Sequence, residues 1–379
     1  MEERVPFNKP HMTGKELFYI AQAHCNTILA GDGPYTKKCH AKLEEMCGCQ
    51  KALLTHSCTA ALEMQSLLLN ITTGDEVIMP SYTFVSTANA VVLRGGKPVF
   101  VDIRPDTLNI DETKIEEAIT PRTKAIAPVH YAGVSCEMDT IMDLAHEHGL
   151  AVIEDAAQGF MATYKGRALG SIGHLGALSF HETKNVISGE GGALLVNDAN
   201  YILSAEIIRE KGTDRSRFFR GEVDKYTWQD IGSSYLPGEL IAAFLWAQLE
   251  EAYEITDNRL ASWNRYHIML RELEEKGVLR RPCVPESCQH NAHMYYILLH
   301  PRFDRQRILA QLKENGIHAV FHYVPLHTAP AGKKYCRQHG SLAVTEDLAA
   351  RLIRLPLWYG ITESMQEKTV AMLHTLLLA

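Results

Sequence analysis

No apolar run in this sequence approaches the ~18 residues needed to cross a bilayer, and no basic segment leading into an apolar stretch opens it. A membrane span and a secretory leader are therefore not expected, and a cytoplasmic protein is. A basic excess is also missing. Lys+Arg number 38 against 45 Asp+Glu, a net charge of -7, so there is no electrostatic footprint for nucleic acid. The 9 cysteines are odd in number and scattered. Their one close spacing, Cys47-Gly48-Cys49, has neither a second pair nor histidines at zinc-site distance. Reduced thiols are expected rather than a disulfide framework, and no metal site is. Internal repeats, low-complexity tracts and long runs of one charge are absent too. What is present, 46% hydrophobic and 22% charged residues over 379 positions, is the composition of an ordinary soluble protein with one large or two medium domains.

Short apolar runs alternate with helical patterns between about residues 50 and 200. The strand candidates are Lys51–Thr55, Val77–Met79, Val99–Asp102, Ala125–Val129, Ala151–Glu154, Ala177–Phe180 and Ala193–Val196. Helix candidates include Ala60–Leu69, Glu112–Ala118 and Met138–His148, the last closed by Gly149. Such alternation predicts an α/β domain with a mostly parallel, seven-stranded sheet, whose functional groups sit at the C-terminal strand ends. Beyond about Leu249 charged helical stretches, Arg259–Lys276 and Asp304–Asn315, surround strand-like runs at Met294–Leu299 and Ala319–His322. The expected division is an N-terminal arm and large α/β domain over 1–250 and a small α+β domain over 251–379.

Four loops at strand ends carry the chemistry. In Ser179-Phe180-His181-Glu182-Thr183-Lys184-Asn185, followed by Gly189-Glu190-Gly191-Gly192, a strand runs into a polar turn holding a lysine. A lysine held there can condense with an aldehyde cofactor and later act as general base; taken alone, it reads more readily as a solvated surface residue. Asp155, in Glu154-Asp155-Ala156-Ala157-Gln158, ends an apolar strand where an unpaired carboxylate is costly. Pyridoxal phosphate (PLP) needs a carboxylate beside its ring nitrogen to work as an electron sink, with Gln158 able to bond the ring's phenolic oxygen; a turn cap is the alternative for Asp155. Ser57-Cys58-Thr59 joins a strand to a helix N-terminus, where N–H groups and the helix dipole favour a phosphate, or where a plain cap suffices. Phe84, after the Val77–Pro80 strand, either covers a cofactor ring or belongs to the core. Together these loops place a phosphate cradle, a stacking aromatic, a pyridinium partner and a Schiff-base lysine on successive strand ends of one sheet.

At this point the sequence resembles the DegT/DnrJ/StrS family of sugar aminotransferases over essentially its whole length. The carrying segments are Gly74 through Phe84, Glu154-Asp155-Ala156-Ala157-Gln158, Ser179-Phe180-His181 through Gly192, and Phe321-His322-Tyr323-Val324-Pro325-Leu326-His327. The resemblance implies a PLP-dependent transferase of the aspartate aminotransferase type (fold type I). It implies Lys184 as the Schiff-base lysine, Asp155 and Gln158 as ring partners, Ser57, Cys58, Thr59 and Ser179 as phosphate contacts, and Phe84 as the stacking residue. It further implies a homodimer with active sites at the interface, the Ile231–Tyr235 loop reaching the neighbour's cofactor through Ser234, where relatives commonly have asparagine. His322, Tyr323 and His327 fall in the C-terminal motif and are candidate substrate contacts. Lys211 and Arg220 are candidates for a nucleotide diphosphate, since cations suit phosphate.

The expected reaction is amino transfer from L-glutamate to a nucleotide-linked keto-deoxysugar, dTDP-4-dehydro-6-deoxyglucose in particular. Amination at another carbon, the gluco epimer and other nucleotides are alternatives within the class. A PLP-binding regulator without turnover is the alternative outside it, disfavoured by the lack of a basic stripe or separable DNA-binding segment. Lysine at 184 argues against a dehydratase, whose relatives carry histidine there.

Overall fold

The seven apolar runs of the first two hundred residues all enter one sheet of the computed structural model, which describes residues 4–378. In chain order the strands are β1 (Lys51–Thr55), β2 (Glu76–Pro80), β3 (Lys97–Val101), β4 (Thr123–Ile126), β5 (Ala151–Asp155), β6 (Thr163–Tyr164), β7 (Arg167–Ala168), β8 (Leu175–Ser179) and β9 (Gly192–Val196). The remainder are β10 (Leu279–Arg280), β11 (Cys288–Gln289), β12 (Tyr295–Leu299), β13 (Arg337–Gln338) and β14 (Leu352–Leu355). The main sheet has the order β1-β9-β8-β5-β4-β2-β3-β13, and β9 alone runs against its neighbours. It has 8 strands rather than the expected seven. The added β13 is two residues long and pairs with Val99 and Phe100 from far along the chain.

The period-2 alternation of strand side chains splits the core into two layers. Leu53, Val77, Phe100, Ile153 and Leu194 pack under the helices Cys58–Leu68 and Val85–Val92 on one face. Their neighbours Leu54, Ile78, Val101, Val152 and Leu195 pack against Pro34–Cys47, Met138–His148 and Glu239–Glu250 on the other. Both faces are covered, which explains why these strands read as continuous apolar runs rather than alternating ones. Gly149 caps Met138–His148 in the left-handed conformation at φ 63°, as its position predicts.

Residue 250 is the last of the helix Glu239–Glu250, and the next helix, Ala252–Met269, begins two residues later. Beyond it β10, β12 and β14 form an antiparallel sheet in the order β10-β12-β14. That sheet packs with Trp263, Tyr266, Leu312 and Leu373 in a separate apolar cluster, which Val5 of the N-terminal arm joins. Two expectations here need correction. The helical stretch 259–276 is two helices, Ala252–Met269 and Arg271–Glu275, broken at Leu270. Ala319–His322 is not a strand: Val320 makes a single bridge to Arg354, and the following residues turn away toward β2. Leu326 N–H there donates to Ser81 O (3.0 Å), ahead of a short 3-10 turn at Leu326–Thr328. Among the described residues no helix is long and apolar enough to cross a membrane, and the nine cysteines are all unpaired.

Candidate active site

The strands β1, β2, β5 and β8 run in one direction, so the loops that follow them meet at one edge of the sheet. They enclose a cavity of about 540 Å³ that His322, Tyr323 and Arg354 of β14 also line. Ten sequence-predicted residues line it: Ser57, Cys58, Thr59, Phe84, Asp155, Gln158, Ser179, Lys184, His322 and Tyr323.

Ser57 is the N-cap of Cys58–Leu68, its Oγ accepting from Ala60 N–H at 3.1 Å, while Thr59 Oγ1 lies 2.8 Å from Ser86 Oγ. The capping reading of Ser57 is thus realised, and the first-turn N–H groups of Cys58 and Thr59 still precede any intrahelical acceptor. β9 presses close beneath this turn. A Cβ on Gly192 would stand 2.5 Å from Cys58 N and from the Ser57 carbonyl carbon, so only glycine lets the strand approach.

Asp155 closes β5 and is 4% exposed. One carboxylate oxygen accepts from Thr87 Oγ1 at 2.6 Å and the other from Ala157 N–H at 3.1 Å. It therefore caps its turn and faces the cavity at once, so the two sequence readings do not compete. Gln158 is held at both ends: its Oε1 accepts from Ala132 N–H (2.7 Å), and its Nε2 donates to Tyr323 OH (3.1 Å). Phe84 is 56% exposed, with its ring centroid 6.2 Å from that of Tyr323. It is a wall of the cavity, not core.

Lys184 sits in a turn closed by its own N–H to His181 O (2.9 Å). The next residue, Asn185, anchors the loop through Asn291 O (2.7 Å) and His293 Nδ1 (3.2 Å). Burial lowers the pKa of the Lys184 amine from the ordinary lysine value, and Arg354 pushes the same way; Asp155 opposes them. A buried amine that sheds its proton readily is a nucleophile and a base. His322 stacks on Tyr323 at 3.5 Å between centroids and shares a 2.9 Å hydrogen bond with Tyr131 OH. Its pKa is pushed well down by burial and then by Arg354 and Lys184, so it is a neutral imidazole.

Four predicted residues lie outside this cavity. His327 bridges Ser81 Oγ (2.7 Å) and Glu346 Oε1 (3.0 Å) and anchors the 321–328 segment to the loop after β2. Arg220 is engaged by Glu206 (2.8 Å) and Glu222 (2.6 Å), and Lys211 by Glu210 (3.4 Å). Ser234 is exposed, in an isolated bridge with Glu210. Among the lining residues that the sequence reading did not assign to a site are Phe7, His293 and Arg354. Arg354 had a signal, a charge set in the apolar run Leu352-Ile353-Arg354-Leu355; Phe7, in an irregular arm, had none.

A desolvated lysine, a buried carboxylate, an anion-ready helix start and an exposed aromatic in one cavity suit an aldehyde cofactor with a ring nitrogen and a phosphate. The comparisons with known proteins agree. Over residues 11–374 the sequence matches the DegT/DnrJ/EryC1/StrS aminotransferase family. GDP-perosamine synthase of Caulobacter vibrioides is 32% identical over 380 residues, covering 99% of this chain and 98% of that one. The spore coat polysaccharide biosynthesis protein SpsC of Bacillus subtilis is 32% identical over 370 residues (95% and 93%). The crystal structure of the aminotransferase TlmJ from Streptoalloteichus hindustanus superposes with a TM-score of 0.89 at 28% identity, covering 98% of each chain. The chain belongs to the DegT/DnrJ/EryC1/StrS family of PLP-dependent aminotransferases.

Proposed function

We propose that this enzyme moves an amino group from L-glutamate to the keto carbon of dTDP-4-dehydro-6-deoxyglucose, giving dTDP-4-amino-4,6-dideoxygalactose and 2-oxoglutarate. The observation that carries the proposal is the meeting of Lys184, Asp155 and the Ser57–Thr59 turn around one cavity. The names of the relatives, a perosamine synthase and a polysaccharide biosynthesis protein, support a nucleotide-linked sugar as acceptor.

Pyridoxal phosphate, when bound, supplies an aldehyde carbon that takes up and returns an amino group, and a ring that accepts the electron pair released there. Ser57, Cys58, Thr59 and Ser179 would hold its phosphate. Phe84 would cover one ring face, and Asp155 would hold the proton on the ring nitrogen. Gln158 keeps one N–H of Nε2 for the ring hydroxyl. Lys184 would hold the cofactor through its amine and would serve as the base that carries a proton between the cofactor's C4′ and the substrate carbon. The face from which its amine reaches sugar C4 sets the axial or equatorial amine. His322 and Tyr323, which line the cavity, would contact the sugar.

The same proposal includes a homodimer in which the partner completes the site. The segment 215–235 supports this, since it exposes Phe219 (70%), Trp228 (81%) and Ile231 (57%), an apolar surface of the kind that marks an interface. Lys211, Arg220 and Ser234 lie on or beside it and would act across the dimer.

Incubating the holoenzyme with L-glutamate and dTDP-, UDP- or GDP-linked keto-sugars, with the product read by NMR, tests the assignment. We expect 2-oxoglutarate and the 4-amino galacto sugar from the dTDP substrate. Release of neither compound would refute it, and a 3-amino or gluco product would replace its finer part.

A further inference from the structure

The link between β11 and β12 meets three of the loops at the cavity edge of the main sheet. Asn291, 2% exposed, uses every hydrogen-bonding group of its side chain there. Its Nδ2 donates to Gln158 O (2.8 Å) and Phe160 O (2.7 Å) in the loop after β5, and its Oδ1 accepts from His293 N–H (3.0 Å). Its own carbonyl accepts from Asn185 Nδ2 (2.7 Å) in the loop after β8. Gly133, in the loop after β4, packs on the same side chain: a Cβ there would stand 2.0 Å from Asn291 Oδ1. The partners leave one orientation for each amide. Carbonyl oxygens only accept, so nitrogen must face the carbonyls of Gln158, Phe160 and Asn291, and Asn185 turns its oxygen to His293 Nδ1 (3.2 Å). The backbone of the link is fixed as firmly. Ala292 is fully buried with φ 50°, a left-handed conformation that a non-glycine residue keeps only where its surroundings impose it. Arg259 holds it there by donating to Ala292 O (3.1 Å) and His293 O (2.8 Å).

We infer that Asn291 is a positioning residue that holds the Lys184 loop and the Gln158 loop at one fixed separation. The inference deepens the proposed reading and rests on it in one respect, that Lys184 is the residue that captures the cofactor. Lys184 and Gln158 line the cavity, whereas Asn185 and Asn291 do not, so neither asparagine is placed to bind a ligand itself. Capture joins the Lys184 nitrogen to the aldehyde carbon with loss of water. The ring hydroxyl assigned to Gln158 stands on the ring carbon next to the one that bears the aldehyde. The two side chains must therefore be spaced to fit one ring, and a misplacement of about 1 Å is enough to cost about 100-fold. The path that sets this spacing is short. Asn185 follows Lys184 in the chain and donates to the carbonyl of Asn291, whose amide donates in turn to the carbonyl of Gln158. Both bonds lie among residues less than a tenth exposed, where water does not compete for them.

The test compares how tightly the cofactor-free full chain binds PLP and pyridoxamine phosphate, by fluorescence titration. The two share ring, hydroxyl and phosphate, and only PLP has the aldehyde that bonds to a lysine. The ratio of their affinities therefore isolates capture from the rest of the site, and Lys184→Ala gives that ratio without capture. Asn185→Ala keeps Lys184 and all three bonds of the Asn291 side chain, but frees the lysine's loop. It should lower the ratio by about 10- to 100-fold and bind pyridoxamine phosphate within about twofold of the wild type. Asn291→Ala releases both loops and should weaken both ligands, PLP more. If Asn291→Ala does not fold in urea denaturation, Asn185→Ala decides alone. A variant that keeps the wild-type ratio would overturn the inference. So would an Asn185→Ala protein that loses both ligands by the same factor, which is the mark of a merely structural role. A Lys184→Ala protein with the wild-type ratio would instead refute Lys184 as the capturing residue, and the inference would fall with it.

Discussion

Replacing Asp155 by asparagine should separate catalysis from stability more cleanly than any other change at this site. Asparagine keeps the shape, and the local hydrogen bonds can all be remade. Ala157 N–H is a fixed donor at 3.1 Å, so the amide oxygen must face it, which leaves the amide nitrogen toward Thr87 Oγ1. That hydroxyl now donates to Asp155 at 2.6 Å, but it can turn its proton to Phe84 O at 3.3 Å and accept from the amide instead. No buried polar atom is orphaned, so unfolding free energy should change by less than about 1 kcal/mol. The negative charge proposed to face the ring nitrogen is lost, however. A buried charge pair of this kind is worth about 2–4 kcal/mol, so kcat/KM should fall by about 30- to 1000-fold. Thr87→Val provides the contrast. It leaves a buried carboxylate oxygen one donor short and should destabilise the protein by about 1–3 kcal/mol while preserving the charge. Urea denaturation and steady-state kinetics on the two variants decide the matter. An Asp155→Asn protein that loses stability in proportion to activity, or keeps wild-type activity, would refute the reasoning.

Gly192→Ala should weaken PLP binding at least about tenfold, because the new methyl pushes on the Ser57–Cys58 backbone; fluorescence titration of the apo-protein checks it. Capture of PLP by the apo-protein should have a pH midpoint below the ordinary lysine value of 10.5. In Asp155→Ala it should lie lower still, since the carboxylate that favours the charged amine is gone. Arg337→Ala should cost about 1–3 kcal/mol in urea denaturation, because Arg337 holds the buried Glu76 through two bonds of 2.9 and 2.8 Å and ties β13 to the main sheet. Glu76 is lowered to about 2 from the ordinary 4.5, first by Arg337 and then through Thr120 and Arg122. Its stabilisation is therefore present above pH 4.5 and lost as pH falls toward about 2, and the variant should lose much of that acid sensitivity.

Much of the large sheet was legible because buried parallel strands announce themselves as short apolar runs between turn signals. All seven such runs became strands, with ends shifted by a few residues. The eighth, β13, was not readable: two polar residues form it, and the partner strand, not local propensity, makes them extended. Ala319–His322 had the apolar and aromatic content of a strand, but the segment's tie to Ser81 won over that preference. The loops that meet at the cavity were legible because each combines a strand end with a chemically distinct residue. His327 carried the same motif signal as His322, yet its neighbours Ser81 and Glu346, remote in sequence, turned it into an anchor. Arg354 was legible only as a charge in an apolar run, and the fold places it in the lining of the cavity.

Lys184 is where the whole account can be tested most directly. The holoenzyme is reduced with sodium borohydride, digested, and the pyridoxyl-bearing peptide sequenced by mass spectrometry. The label should fall on Lys184, within the segment Ser179–Gly192, and a Lys184→Ala protein should take up none. A label on any other lysine, or an unlabelled wild type, would contradict the site proposed here.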